Sequence, residues 1–139
     1  MTLQTHKQWL RVSSIAISAY AFFFFLGSIK GFQKPIELIL DLSNWPLNGL
    51  ENYEAPTSIF LSAILGGVLF GWGVLIWILS SIYEKEPEKI RKAVLTSLIS
   101  WFVVDSIGCI ISHNMSNTIT NIGLLLVLVG PLWKKASDE

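Results

Sequence analysis

Asp105 is the residue with the clearest capacity for chemistry, because it stands inside an otherwise apolar stretch, 93–112. It lies about eight residues from the far end of that stretch, which is about 12 Å along a helix. A carboxyl group at that depth in a membrane is costly unless it is paired, hydrated or protonated. Asp105 therefore indicates either a site for a proton, a cation or a ligand, or an acid that ties helices together, and the sequence leaves both interpretations open.

A small set of polar residues is expected to accompany Asp105 in a candidate intramembrane polar site. The candidates are one residue from each other apolar stretch and one from its own helical side: Tyr20, Ser62, Asn121 and Ser112. His113 follows at the end of the same stretch. It either relays protons to Asp105 through water or lies exposed in a loop.

The residue sets for enzyme catalysis are missing. The sequence has no glycine-rich phosphate loop, no convincing Ser-His-Asp order and no paired carboxylates, so an enzyme is not predicted. One cysteine allows no internal disulfide, and His6 and His113 are expected on opposite sides of a membrane, so no metal site is predicted. Trp72 and Trp77 either stack on a flat ligand such as a quinone or fill the membrane core.

Composition assigns the chain to a membrane. Of its 139 residues, 52% are hydrophobic and 14% are charged, whereas a soluble domain carries about a quarter charged residues. The mean hydropathy is +0.55, and a soluble chain of this length could not bury that much apolar surface in one core. The net charge of zero gives no basic field for nucleic acid, which is therefore not predicted as a partner.

Four apolar stretches have the length needed to cross a bilayer. They occupy residues 12–29, 58–83, 93–112 and 118–133. Each must be helical, because a span in lipid has to satisfy its own backbone hydrogen bonds. The sequence therefore predicts a single membrane domain, 1–139, folded as an all-α, antiparallel four-helix transmembrane bundle.

The distribution of positive charge predicts the orientation. Eight of the ten Lys and Arg residues lie in the two terminal segments and in the loop 84–92. Only Lys30 and Lys34 lie on the other side. The positive-inside rule then puts both termini and the 84–92 loop in the cytoplasm.

The two longer connections differ in character. Residues 35–42 place apolar and acidic side chains on separate helical faces, which predicts a short helix at the outer membrane interface. Trp45-Pro46, Asn48-Gly49 and Ala55-Pro56 are turn signals after it. In the charged loop, Pro87 followed by Glu88 is expected to open a helix that continues into the third span.

The second span carries small residues at a spacing of four: Ala63, Gly67 and Gly71. This pattern is typical of close helix contact in membranes. Ser14 and Ser18 of the first span offer a matching face. Packing within the chain and formation of a homo-oligomer are both consistent with the pattern.

The segment Phe25-Leu26-Gly27-Ser28-Ile29-Lys30, followed by Pro35, resembles the end of the first helix in the DoxX-like family. The four spans, the glycine-rich second helix and the basic second loop extend that resemblance. It implies a small helix bundle in the bacterial inner membrane, with sulfur or thiol redox chemistry at the quinone pool in some members. A quinone or a lipid is therefore an expected ligand, and no functional residue is carried over.

Three functional hypotheses follow. The first is a non-catalytic accessory or assembly component of a membrane complex. The second is a small proton-coupled transporter that acts as an oligomer around Asp105. The third is a quinone- or lipid-binding redox accessory protein.

Overall fold

The computed structural model describes residues 1–45, 53 and 55–137. Its elements, in chain order, are α1 (Leu3–Gly27), α2 (Lys34–Ser43), α3 (Pro56–Ser81), α4 (Pro87–Ile111), α5 (Met115–Val129) and a 3₁₀ turn, Gly130–Trp133. All of the regular elements in these ranges are helical, as the apolar pattern predicts. The predicted turns at Trp45-Pro46 and Asn48-Gly49 fall mainly on residues outside the described ranges.

Within the described ranges, four helices are long and apolar enough to cross a membrane. They are α1, α3, α4 and the continuous segment Met115–Trp133, formed by α5 and the 3₁₀ turn. Each covers all or nearly all of one of the four predicted apolar stretches, and α1, α3 and α4 end one or two residues before the predicted stretch does. The chain is thus an all-helical, multi-pass membrane protein.

The four long helices begin earlier than the predicted apolar stretches do: polar side chains cap the starts of α1 and α5, and a proline opens α3 and α4. Thr2 precedes α1, and its hydroxyl oxygen accepts a hydrogen bond from the Thr5 amide at 3.1 Å. The α4 helix begins at Pro87 with Glu88 in its first turn, which confirms the predicted opening of this helix. The Asn114 side chain caps α5 by accepting from the Asn117 amide at 3.2 Å.

Both described terminal segments meet the α3–α4 connection at one end of the molecule, which we call the terminal end. The Ser137 amide donates to the Met1 carbonyl oxygen at 2.7 Å. Lys7 forms an ion pair with Glu84 at 2.6 Å. These contacts agree with the shared side that was predicted for the termini and the charged loop.

The opposite end, called the α2 end, contains α2 and the turn between α4 and α5. The predicted short helix is present, and Ile36 on it is fully buried. Ile36 and Tyr53 cover Gly27 at the end of α1, where a Cβ atom would lie only 2.5 Å from Ile36. Gly27 thus permits the close approach of α2 to α1.

The contact between α1 and α3 is the tightest in the molecule, and it uses a different set of small residues from the one predicted. Gly66 and Gly73 face α1, and the Ser14 hydroxyl donates to the Gly73 carbonyl oxygen at 2.7 Å. A Cβ atom at Gly73 would meet Ser18 and, at 3.1 Å, the Ser14 carbonyl oxygen. The predicted matching face on α1 is therefore used.

The predicted packing stripe on α3 lies beside the contact with α1 and not in it, and Ala63 and Gly67 border a groove along α1. Ala63, Gly67 and Gly71 are exposed, and a Cβ atom at either glycine would meet no atom within 4 Å. In the described structure, this stripe therefore does not make the close helix contact within the chain that was one of its two expected uses. The reason is that α3 carries two small-residue stripes on different sides, and the serines of α1 accommodate the one that contains Gly66 and Gly73.

A buried apolar cluster, called the terminal core, joins all four long helices in the half of the molecule next to the terminal end. Its members are Leu10, Ile17, Ile76, Tyr83, Ile90, Val94, Leu98, Val129 and Leu132. These side chains fill the space between the helices on that side of Asp105.

Candidate functional site

A cavity of about 250 Å³ lies beside Asp105, on the side of the terminal core that faces the α2 end. We call it the Asp105 cavity. Residues from all five α-helices line it. Its polar lining residues are Tyr20, Ser43, Asp105, Asn114, Asn117, Thr120 and Asn121.

Asp105 uses one carboxylate oxygen to join α4 to α5. The side-chain amide of buried Asn121 donates a hydrogen bond to Oδ2, and the Cys109 thiol contacts the same oxygen at 3.9 Å. Among the described residues, none donates a hydrogen bond to Oδ1. Asp105 is half-buried and lines the cavity, so this second oxygen is the one available to a bound molecule.

Two asparagines extend the polar wall from Asp105 toward the α2 end. The Asn117 amide nitrogen Nδ2 lies 3.0 Å from the Cys109 sulfur, and Asn114 caps the helix that carries Asn117. Sequence reasoning missed both, because residues 113–117 resemble a simple hairpin. The spacing of Asn114, Asn117 and Asn121 is the signal that could have found them, since it repeats on one side of a helix.

Aromatic rings form a second wall. Trp101 lies one helical turn before Asp105, and its ring centroid is 6.0 Å from that of Trp72 on α3. On α1, Tyr20 packs edge-on against Phe24 at 5.1 Å, and both line the cavity. The cavity thus combines one acid, several amides and aromatic faces.

Three of the five predicted site residues come together, namely Asp105, Tyr20 and Asn121. Ser62 does not join them, because it is buried on the part of α3 that lines a separate cavity beside Tyr53. Ser112 is exposed just beyond α4, where its hydroxyl donates to the Cys109 carbonyl oxygen at 3.1 Å. These two placements correct the prediction, since depth in the membrane does not determine which way a side chain faces.

The described lining of the cavity contains an acidic residue and no basic residue. Of the described residues that line it, Asp105 alone carries a formal charge. His113 is exposed and is not part of the lining, which fits its interpretation as a loop residue rather than a proton relay. Within the described ranges, no group of three or more His, Cys, Asp or Glu residues is arranged to hold a metal ion.

A second polar cluster lies at the terminal end. The Nδ1 atom of buried His6 is 2.7 Å from the Tyr83 hydroxyl. Arg91 donates two hydrogen bonds to Glu88, at 2.9 and 3.1 Å, and one to the Leu132 carbonyl oxygen at 3.0 Å. Burial raises the pKa of Tyr83 above its usual value, and nearby Glu88 raises it further. His6 thus ties α1 to the α3–α4 connection, and Arg91 ties α4 to the 3₁₀ turn.

No family model, curated protein or solved structure matches this chain. The resemblance to the DoxX-like family therefore stays a prediction. The geometry of the Asp105 cavity is the remaining basis for assigning a function.

Proposed function

We propose that this protein is a non-catalytic binding protein of the membrane, an antiparallel four-helix bundle that holds a small molecule in the Asp105 cavity. The observation that carries the proposal is the position of Asp105 in a cavity wall, with Oδ1 unbonded among the described residues. An acid that only ties helices together would be expected to have both oxygens satisfied and enclosed.

The two interpretations of Asp105 left open by the sequence are combined in this proposal. Its Oδ2 atom binds Asn121 and serves the packing of α4 against α5. Its Oδ1 atom serves a ligand. A half-buried acid in an apolar span is otherwise hard to account for, because an unpaired carboxylate there is costly.

Binding is favoured over conduction by the asymmetry of the interior. The cavity lies toward the α2 end, whereas the terminal core occupies the other half with buried side chains. A proton-coupled transporter would have to repack that core during each cycle. Binding, by contrast, requires only the helix movement that admits the ligand to the cavity.

The placement in the membrane follows from charge and from α2. Eight of the ten Lys and Arg residues belong to the segments at the terminal end, which supports a cytoplasmic location for both termini. Leu38 and Leu42 on α2 are 63% and 54% exposed, as expected of a helix at the outer lipid interface. The cavity then opens toward the outer leaflet of the membrane, which we propose to be a bacterial inner membrane.

Native mass spectrometry of the purified protein tests this proposal. Thr120 lines the cavity on the exposed side of α5, so Thr120→Trp fills the space with little effect on packing. Ile119→Trp is the matched control, because Ile119 is 68% exposed and does not line the cavity. We expect a small bound molecule in the parent and in Ile119→Trp and its loss in Thr120→Trp. The mass also distinguishes a quinone or a lipid from a smaller ligand.

Two results would count against the binding function. The first is a parent protein that carries no bound molecule under conditions that keep it folded. The second is an equal amount of bound molecule in Thr120→Trp and in the parent.

A second candidate is the accessory or assembly role. It is favoured by the exposed stripe of Ala63, Gly67 and Gly71, which leaves a smooth helix face open to another membrane protein or to a second copy. A Gly67→Leu variant should then run as a smaller complex than the parent in mild detergent. A parent that is already monomeric would exclude this role.

A further inference from the structure

We infer that the Asp105 cavity is built for a small organic monocation, a protonated or quaternary amine. This inference rests on the proposed binding function and adds the chemical class of the ligand. It depends on three features of the cavity: its charge, its hydrogen-bonding groups and the nature of its walls.

The charge of the cavity is unbalanced. Asp105 has no cationic neighbour among the described lining residues. On α4 the nearest basic residue is Lys92, thirteen positions earlier, which is about 20 Å along a helix. The acidic residues of α2, Glu37 and Asp41, do not line the cavity and would add no positive charge. A bound cation would supply the missing charge and would lower the cost of a carboxylate at this depth.

The free hydrogen-bonding groups of the cavity favour a ligand that donates hydrogen bonds. The Asn121 amide nitrogen is turned toward Oδ2 of Asp105, so the Asn121 side-chain oxygen is turned away from it. Oδ1 of Asp105 is therefore the acceptor that the cavity offers to a charged donor. An anion would be repelled, and a carbonyl ligand such as a quinone would find no donor on the acid in its charged form.

The walls select an organic cation over a metal ion. Trp101, Tyr20 and Phe24 contribute aromatic rings to the lining, and Leu65, Leu69 and Leu124 are apolar. The faces of aromatic rings attract cations. Calcium or magnesium would need about six or more oxygen ligands, and the cavity offers one carboxylate. A substituted ammonium group needs one negative charge and apolar surroundings, which this cavity provides.

The volume limits the size of the ligand. The cavity of about 250 Å³ corresponds to about eight water molecules in the liquid. Sites for drug-sized ligands are usually about 300–1,000 Å³. The expected ligand is therefore a compact amine with at most one ring.

Binding of phenethylamine to the purified protein in lipid nanodiscs tests the inference. Its neutral counterpart 2-phenylethanol has the same ring and nearly the same size, so the pair isolates the charge. Isothermal titration calorimetry should give an affinity for the amine at least about tenfold higher than for the alcohol. Asp105→Asn should abolish that preference, whereas Asp105→Glu should retain part of it. Glu37→Gln is the matched control, because it removes an acid outside the cavity.

The outcomes separate the inference from the proposed function. If the alcohol binds as tightly as the amine and Thr120→Trp blocks both, the cavity binds small molecules but the cation inference is wrong. If neither probe binds, the cation inference is wrong, and native mass spectrometry of the parent and Thr120→Trp then decides the proposed function. If the amine binds equally to the parent and to Thr120→Trp, its site is not the Asp105 cavity and the inference is wrong. Asp105→Glu keeps the acid and so covers the case in which Asp105→Asn does not fold.

Discussion

At the scale of single residues, the environment of Asp105 reconciles an acid with a membrane span. Asn121 supplies a hydrogen bond to one oxygen, and the cavity leaves the other oxygen accessible to a polar group. A carboxyl group without either would bear most of the cost of leaving water. The chemistry of the site is therefore set by one side chain from α4 and one from α5.

A different residue, Gly130, shows how closely two elements approach. Its φ angle is +37°, and a Cβ atom there would lie 2.5–2.7 Å from three atoms of the Trp9 ring. The Trp9 ring is also held in place, because Nε1 donates to the Leu128 carbonyl oxygen at 3.2 Å. Gly130 thus permits the contact between α1 and the 3₁₀ turn.

We expect Gly130→Ala to lower the stability of the protein by about 1–3 kcal/mol, because the new methyl group overlaps the indole ring. Thermal unfolding in detergent measures the effect. Gly123→Ala on the adjoining helix α5 is the control, because a Cβ atom at Gly123 would meet no atom within 4 Å. Equal melting temperatures for the two variants would show that Trp9 does not pack against Gly130.

At the scale of the elements, the pairing of α1 with α3 depends on backbone proximity. Gly66 and Gly73 lie against the α1 backbone, where a Cβ atom at Gly66 would be 3.0 Å from the Phe25 nitrogen. Membrane helices gain little from apolar burial against each other, since lipid is equally apolar, so close packing and hydrogen bonds hold them together. The Ser14–Gly73 hydrogen bond fits this pattern.

We expect Gly73→Ala to destabilise the protein by about 1–3 kcal/mol, because a methyl group would press against Ser18 and the Ser14 carbonyl group. Gly71→Ala is the matched control, because Gly71 lies on the same helix and a Cβ atom there would meet no atom within 4 Å. Unfolding of both variants in a denaturing detergent series gives the comparison. Adding Ser18→Ala to Gly73→Ala should recover part of the loss, and the opposite ranking of the two glycine variants would contradict the described rotation of α3.

At the scale of the whole molecule, the two ends have different roles. The terminal end gathers the charged segments and is closed by the terminal core. The α2 end contains the Asp105 cavity and the amphipathic helix α2. This separation predicts that a ligand reaches Asp105 from one side of the membrane only.

Labelling of single cysteines in intact cells tests the proposed orientation. In a Cys109→Ser background, Lys30→Cys should react with a membrane-impermeant maleimide from outside. Lys85→Cys and Lys134→Cys should react only after the membrane is opened, because the proposed orientation puts the basic segments in the cytoplasm. Reaction of Lys85→Cys and Lys134→Cys on opposite sides would contradict an arrangement with four spans.

The sequence by itself determined the four helical spans, the short helix α2, the opening of α4 at Pro87 and the presence of an acid in the third span. These features are local, because span length, caps and hydropathy depend on consecutive residues. It also named Tyr20 and Asn121 as candidate companions of Asp105, and both line the cavity beside it.

Only the tertiary structure decided which way each helix faces. It turned Gly66 and Gly73 inward in place of Ala63, Gly67 and Gly71, excluded Ser62 and Ser112 from the site, and added Asn114 and Asn117 to it. The physical reason is that all faces of a span in lipid are similarly apolar, so hydropathy does not show which face packs against another helix. Its rotation is therefore set by the shape and the hydrogen bonds of the helices packed against it.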